Sequence, residues 1–89
     1  MPAPFTGGCA CGAVRYECST EPMLMGNCHC RDCQRASGTG YSSAVLVPAS
    51  TVKIVKGEPK YHSVTAASGR TARRGFCAVC GSPLFADNT

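Results

Sequence analysis

NCHCRDCQRASG, residues 27–38, sets three cysteines, Cys28, Cys30 and Cys33, at spacings of two and three residues, with His29 wedged between the first two. Its second half, RDCQRAS (31–37), predicts about two turns of helix, and Gly38 stands where a helix end favours a left-handed residue. If the first half is extended, residues two apart point the same way, so Cys28 and Cys30 share a side and His29 faces the other. Three thiols gathered like this can be a disulfide pair with a spare thiol, a closed metal knot, or a metal site with one position left open. The rest of the chain bears on the choice.

The chain has 89 residues, enough for a single domain over 1–89, and carries ten Gly, three Phe, three Tyr and no Trp. A domain of this size buries little and often needs a staple, for which the eight cysteines are the obvious source. The first residues, MPAPFTGGCACG, show neither the basic start nor the apolar run of a signal peptide, and the longest apolar run, AVLVP (44–48), is far too short to cross a membrane. With nothing pointing to an oxidising compartment, metal thiolates are favoured over disulfides and a cytoplasmic location is expected. The formal charge of +4 shrinks once metal is counted: seven thiolates with two zinc ions would remove three charges, leaving about +1. That balance, and the lack of any Lys/Arg run, argues against nucleic acid as a partner.

Between the cysteine clusters the pattern is β. AVRYE (13–17), YSSAVLV (41–47) and TVKIV (51–55) alternate or are rich in β-branched residues. KGEP (56–59) reads as a turn, KYHSV (60–64) as the returning strand of a hairpin, and AASG (66–69) as another turn. RTARRGF (70–76) leads into the last cysteine pair, and SPLFA (82–86) reads as a very short strand. The expected fold class is mostly β with one short helical piece.

CAVCG (77–81) has the spacing of a zinc knuckle, two thiolates able to grip one tetrahedral ion, with Gly81 permitting the tight turn that aims N–H groups at sulfur. It supplies two ligands where a structural site takes four. GGCACG (7–12) is the better donor of the other pair, since Cys9 and Cys11 in an extended segment face the same way. A site of Cys9, Cys11, Cys77 and Cys80 would clip the two ends of the domain together. Cys28, Cys30 and Cys33 are then left with three ligands and a vacant fourth position, the pattern of catalytic zinc. His29 or Cys18 could still close that site, although Cys18 ends a predicted strand and reads more simply as a buried small hydrophobe. His62, in a predicted hairpin, reads as a solvated polar group. Arg31, Arg35, Arg73 and Arg74 lie close in sequence to the clusters. They balance thiolate charge on a solvated face, or one or two of them hold the carboxylates of a substrate.

GGCACGAVRYE (7–17), NCHCRDCQRASG (27–38) and FCAVCGSPLF (76–85), in this order, resemble the glutathione-dependent formaldehyde-activating enzyme family, which includes the centromere protein V type of domain. The motifs span residues 7–85. The resemblance implies a β-tent fold with two zinc ions, a structural one on Cys9, Cys11, Cys77 and Cys80 and a second on Cys28, Cys30 and Cys33, the latter as ligands of the reacting centre. It implies addition of glutathione to formaldehyde to give S-hydroxymethylglutathione, run in either direction: a carbon–sulfur lyase type of enzyme with glutathione as co-substrate. The other reading it allows is a zinc-stabilised binding or scaffold module without catalysis. Members of the family usually continue past the last cysteine pair with further strands, so the chain is short at its C-terminus by comparison. The open sheet edge this would leave predicts a homodimer or strand exchange.

Overall fold

Glycine, proline and serine punctuate the sequence often enough that no strand among the described residues exceeds six residues. The computed structural model describes residues 2–88. In chain order the elements are β1 (Phe5–Gly8), β2 (Arg15–Cys18), β3 (Leu24–Cys28), α1 (Arg31–Ser37), β4 (Ser42–Leu46), a 3-10 turn (Ala49–Thr51), β5 (Val52–Lys56), β6 (Lys60–Thr65), β7 (Thr71–Phe76) and β8 (Pro83–Asn88). The fold is mostly β, with α1 its one α-helix among the described residues. The strands form sheets ordered β1-β2-β5, β3-β4 and β6-β7-β8.

The residues group into two compact units. One is Cys18–Val52 with the N-terminal residues through Phe5, and the other is Thr6–Glu17 with the chain from Lys53 onward. In the first unit β3 and β4 pair antiparallel from Leu24↔Leu46 to Cys28↔Ser42, with α1 between them in sequence. In the second, β6 and β7 pair from Lys60↔Phe76 to Thr65↔Thr71, and β8 adds to the far side of β7 with an irregularity at Gly75/Phe76. On one face of that sheet Gly75 leaves room for two rings: a Cβ there would lie 2.9 Å from Tyr61 and 3.3 Å from Phe85. Phe85 in turn meets Tyr16 edge-on at 5.1 Å between ring centres.

The helix falls where the sequence puts it. Gly38 closes it at φ +70°, and its N–H donates to the Gln34 carbonyl at 2.9 Å. Three expectations change. KYHSV forms a hairpin with β7 rather than with the strand before it, and the AASG turn is closed by backbone bonds: the Ala66 N–H reaches the Arg70 carbonyl at 2.8 Å and the Gly69 N–H reaches the Ala66 carbonyl at 2.9 Å. Of SPLFA, residues 83–86 open a six-residue strand, Pro83–Asn88, sustained by pairing along β7. Cys9 and Cys11 sit on a turn, not an extended segment, with the Gly12 N–H donating to the Cys9 carbonyl at 3.3 Å. β1 and β3 were not foreseen; FTGG and LMGNC carry glycine where strand patterns want branched side chains.

The buried apolar residues among those described are few: Cys9, Val14, Cys18, Ala72 and Cys77. In the second unit Cys9, Val14 and Cys77 cluster, with Ala13 and Leu84 packed against them. In the first, Cys18 is buried, its Sγ 3.4 Å from the Thr20 carbonyl and 3.5 Å from the Thr51 hydroxyl. It packs as a small hydrophobe. Every residue of β3 is exposed, Leu24 to 65%, and across the hairpin Leu46 to 55%.

Candidate metal centres

The turn after β1 and the knuckle after β7 bring four thiols together. The sulfur atoms of Cys9, Cys11, Cys77 and Cys80 all lie within 4.8 Å of one another. Cys9 and Cys11 are 3.6 Å apart, and Cys11 and Cys77 3.7 Å. Four sulfurs at ~2.3 Å from a tetrahedral ion are about 3.8 Å from each other, a spacing that the Cys9–Cys11 and Cys11–Cys77 pairs match. Backbone geometry holds it. The Cys9 N–H donates to the Val14 carbonyl at 3.1 Å while the Val14 N–H returns to Cys9 Sγ at 3.3 Å. In the knuckle, Gly81 at φ +78° lets its N–H reach the Cys77 carbonyl at 2.9 Å, and the Val79 N–H donates to Cys77 Sγ at 3.4 Å. Within the turn that Gly81 closes, the Val79 N–H is thus aimed at sulfur.

Ser82 was not singled out in the sequence, yet it joins both halves. Its hydroxyl oxygen accepts the Ala10 N–H at 3.1 Å and lies 3.1 Å from Cys80 Sγ, while its carbonyl accepts the Cys77 N–H at 3.0 Å. A hydroxyl two residues past the final cysteine was the available signal. These contacts sort the protons. The Ser82 hydroxyl, then the Ser82 N–H, hold the Cys80 thiol down to about 5. The Val14 N–H lowers Cys9. At Cys11 the Ala13 N–H pulls downward but is outweighed by the Cys9 thiol, burial and the other two thiols, which together push it up to about 11.

The second cluster is built from a strand end and a helix start. Cys28 is the last residue of β3, Cys30 is the N-cap of α1, and Cys33 lies in the first turn. Their sulfurs also lie within 4.8 Å of one another. Cys30 takes the extended conformation of a cap (φ −67°, ψ 161°), and its Sγ accepts the Cys33 N–H at 3.4 Å, the place a serine hydroxyl usually fills. That N–H, followed by the Cys28 thiol, lowers Cys30, whereas the Cys28 thiol and burial raise Cys33 to about 11. Beside the cluster, the Ser43 hydroxyl donates to Asn27 Oδ1 at 2.7 Å across the hairpin. The loop leaving α1 is tied by Ser37 and Thr39 hydroxyls, both donating to the Tyr41 carbonyl. Cys28 and Cys30 are exposed and Cys33 is half-buried, whereas Cys9 and Cys77 are buried. His29 turns its ring to Tyr41, 5.3 Å between centres, and Cys18 keeps to its own contacts with Thr20 and Thr51.

Two of the four arginines are engaged elsewhere. Arg31 donates to Gln34 Oε1 at 2.9 Å. Arg73 grips both Asp87 oxygens, at 3.2 and 2.7 Å, and lies 4.3 Å over the Tyr61 ring, holding the Asp87 carboxyl below its usual range. Arg35 stands in the last turn of α1, and Arg74 lies opposite His62 across β6 and β7.

A family model described as glutathione-dependent formaldehyde-activating enzyme matches residues 4–89. The chain belongs to this family. A relative from Halomonas elongata, named "Putative glutathione-dependent formaldehyde-activating enzyme", is 32% identical over an alignment covering 89% of this chain and 53% of the relative. The chain thus spans about half the length of that family relative. Both thiol clusters lie inside the stretch that the glutathione-dependent formaldehyde-activating family model covers.

Proposed function

We propose that the chain is a zinc-dependent carbon–sulfur lyase type of enzyme that makes or cleaves S-hydroxymethylglutathione, with zinc held at both thiol clusters. The observation that carries this reading is the trio Cys28, Cys30 and Cys33: three thiols close enough for one ion, on an exposed rim, with no fourth protein ligand among the described residues. A bound zinc ion there would supply Lewis acidity and favour the thiolate form of a sulfur at its fourth position. The chain's own part is to fix three sulfurs in place: β3 and its Asn27–Ser43 bond set Cys28, and the cap geometry sets Cys30 and Cys33. Cys9, Cys11, Cys77 and Cys80 would hold a structural ion, a role that the burial of Cys9 and Cys77 and the full ligand count support. Glutathione is the proposed co-substrate and formaldehyde the aldehyde, as the family's description suggests.

The family match runs across both units, which supports treating residues 1–89 as one domain, and a β-tent is the proposed architecture. No described helix is long and apolar enough to cross a membrane. The eight unpaired cysteines support a reducing, cytoplasmic setting. The test is zinc content with and without Cys30→Ser, alongside nuclear magnetic resonance of glutathione–formaldehyde exchange. Two zincs and accelerated exchange in the native chain, against one zinc and the uncatalysed rate in the variant, are expected. Native chain with two zincs but no acceleration would sink the enzyme reading and leave the metal reading standing.

The exposed apolar side chains of Met23, Leu24, Met25 and Leu46 favour a second reading, a zinc-stabilised binding module whose hairpin pairs with another copy. Neither strand of the β3-β4 pair has a second neighbour among the described residues, and neither carries a charged residue to repel a twin.

A further inference from the structure

We propose that the Ser82 hydroxyl is the positioning group of the four-thiol site, joining its two ligand-bearing segments and setting how tightly that site holds zinc. The inference rests on the metal reading above and extends it to a residue that is not a ligand. Cys9 and Cys11 come from the turn after β1, and Cys77 and Cys80 from the knuckle after β7, so the site closes only if two segments about 70 residues apart in sequence stay in register. Apolar packing joins them, with Cys9 and Val14 against Cys77 and with Ala13 and Leu84 beside that cluster. Ser82 adds a polar link: its oxygen accepts the Ala10 N–H of the first segment at 3.1 Å and faces Cys80 Sγ of the second at 3.1 Å.

The directions are chemically consistent. The Ala10 N–H can only donate, so the Ser82 oxygen accepts there. Its own proton is then free to point at Cys80 Sγ, which as a thiolate can only accept. One hydroxyl serves both segments without competing for a donor. The serine is held for this by its main chain, since its carbonyl accepts the Cys77 N–H at 3.0 Å whatever side chain residue 82 carries. Removing the hydroxyl therefore deletes two contacts while leaving the knuckle's backbone bonds in place. It strips Cys80 sulfur of a donor and leaves the Ala10 N–H to water. Groups of this kind, one step out from a metal ligand, typically account for 10–100-fold in metal affinity.

The test is competition for zinc against a chromophoric chelator, with the full chain as wild type, Ser82→Ala and Ser82→Thr. Cobalt spectra of all three provide a second readout. Ser82→Ala is expected to weaken the tighter zinc equivalent about 10–100-fold with its stoichiometry unchanged. The sulfur-to-cobalt charge-transfer band should move to longer wavelength, because a thiolate that loses a hydrogen bond gives up its electrons more easily. Ser82→Thr, which keeps the hydroxyl, is expected to restore both. A serine that merely filled space would leave the band unmoved, and equal zinc affinity in wild type and Ser82→Ala would overturn the proposal. Should Ser82→Ala fail to fold, Ser82→Thr decides: loss of affinity and a shifted band despite the retained hydroxyl would overturn it. A wild-type chain that takes up no tightly bound zinc would instead fail the metal reading itself.

Discussion

Cys77 and Cys30 are each one thiol in a cluster whose sulfurs lie within 4.8 Å, yet one is 1% exposed and the other stands on the surface as a helix cap. The difference lies in what surrounds them. Cys77 belongs to the same buried cluster as Cys9 and Val14, so the four-thiol site is rooted in the hydrophobic core of its unit through two of its sulfurs, while Cys11 and Cys80 are exposed. The three-thiol site has no such backing: β3 is exposed throughout and no residue of α1 is buried. A metal held by core residues stabilises a fold, whereas a metal held by a rim can be reached by a substrate and lost without collapse.

The largest expected effect follows directly. Cys77→Ser should abolish folding at 25 °C, read as loss of β signal by circular dichroism and of bound zinc. A structural zinc of this kind contributes roughly 10–16 kcal/mol, as much as the whole stability of an ordinary domain, about 5–15 kcal/mol. Cys30→Ser should cost one zinc equivalent but leave the β spectrum in place. If both substitutions unfolded the chain, the distinction between core and rim would be wrong.

Graded chelation sharpens the same contrast. A metal held at Cys28, Cys30 and Cys33 should leave first, at chelator levels that spare one held at Cys9, Cys11, Cys77 and Cys80, and the β spectrum should fall only with the second release. Simultaneous release would mean that the two sites are equally strong.

Proton release gives a smaller effect with a definite sign. Metal binds thiolates, so a thiol whose pKa is raised holds a competing proton, and one whose pKa is lowered does not. Cys11 and Cys33, both near 11, should each give up a proton on binding at pH 7, whereas Cys80, near 5, is already ionised. Zinc affinity at both sites should therefore rise with pH above 7, and Cys80 should begin to oppose binding only as pH falls through about 5. Calorimetry in buffers of different ionisation enthalpy counts the protons; four released from the four-thiol site at pH 7 would contradict the role given to Ser82 at Cys80. The smallest effect belongs to Asp87→Ala. Its ion pair with Arg73 is half-exposed on both sides, so the urea midpoint should hardly move.

How much of this was readable beforehand varies with the range of the interactions. The helix at 31–37 and its glycine stop depend on neighbouring residues alone, and they appear where the sequence puts them. The gathering of Cys9 and Cys11 with Cys77 and Cys80 could be argued from ligand number, since four thiols satisfy a tetrahedral ion and three do not. What escaped was set by distant partners. β3 looks too glycine-rich and too apolar to place, and it takes its form from β4; β6 takes its partner from the turn after it rather than the one before. The role of Ser82 is not legible locally, because a hydroxyl near a cysteine means little until Ala10, far away in sequence, comes to lie against it.

The coincidence of ligand and core at Cys77 also limits how the chain can change over generations. Alanine or valine at 77 would keep an apolar surface in the buried cluster but offer no electron pair; serine or aspartate would offer one and place a polar group where Val14 and Leu84 pack. Among the twenty side chains, a thiol alone is both small and apolar when protonated and a strong soft donor when ionised. A substitution at 77 therefore gives up either the donor or the packing, whereas Cys28 and Cys30 are exposed and lie outside that buried cluster.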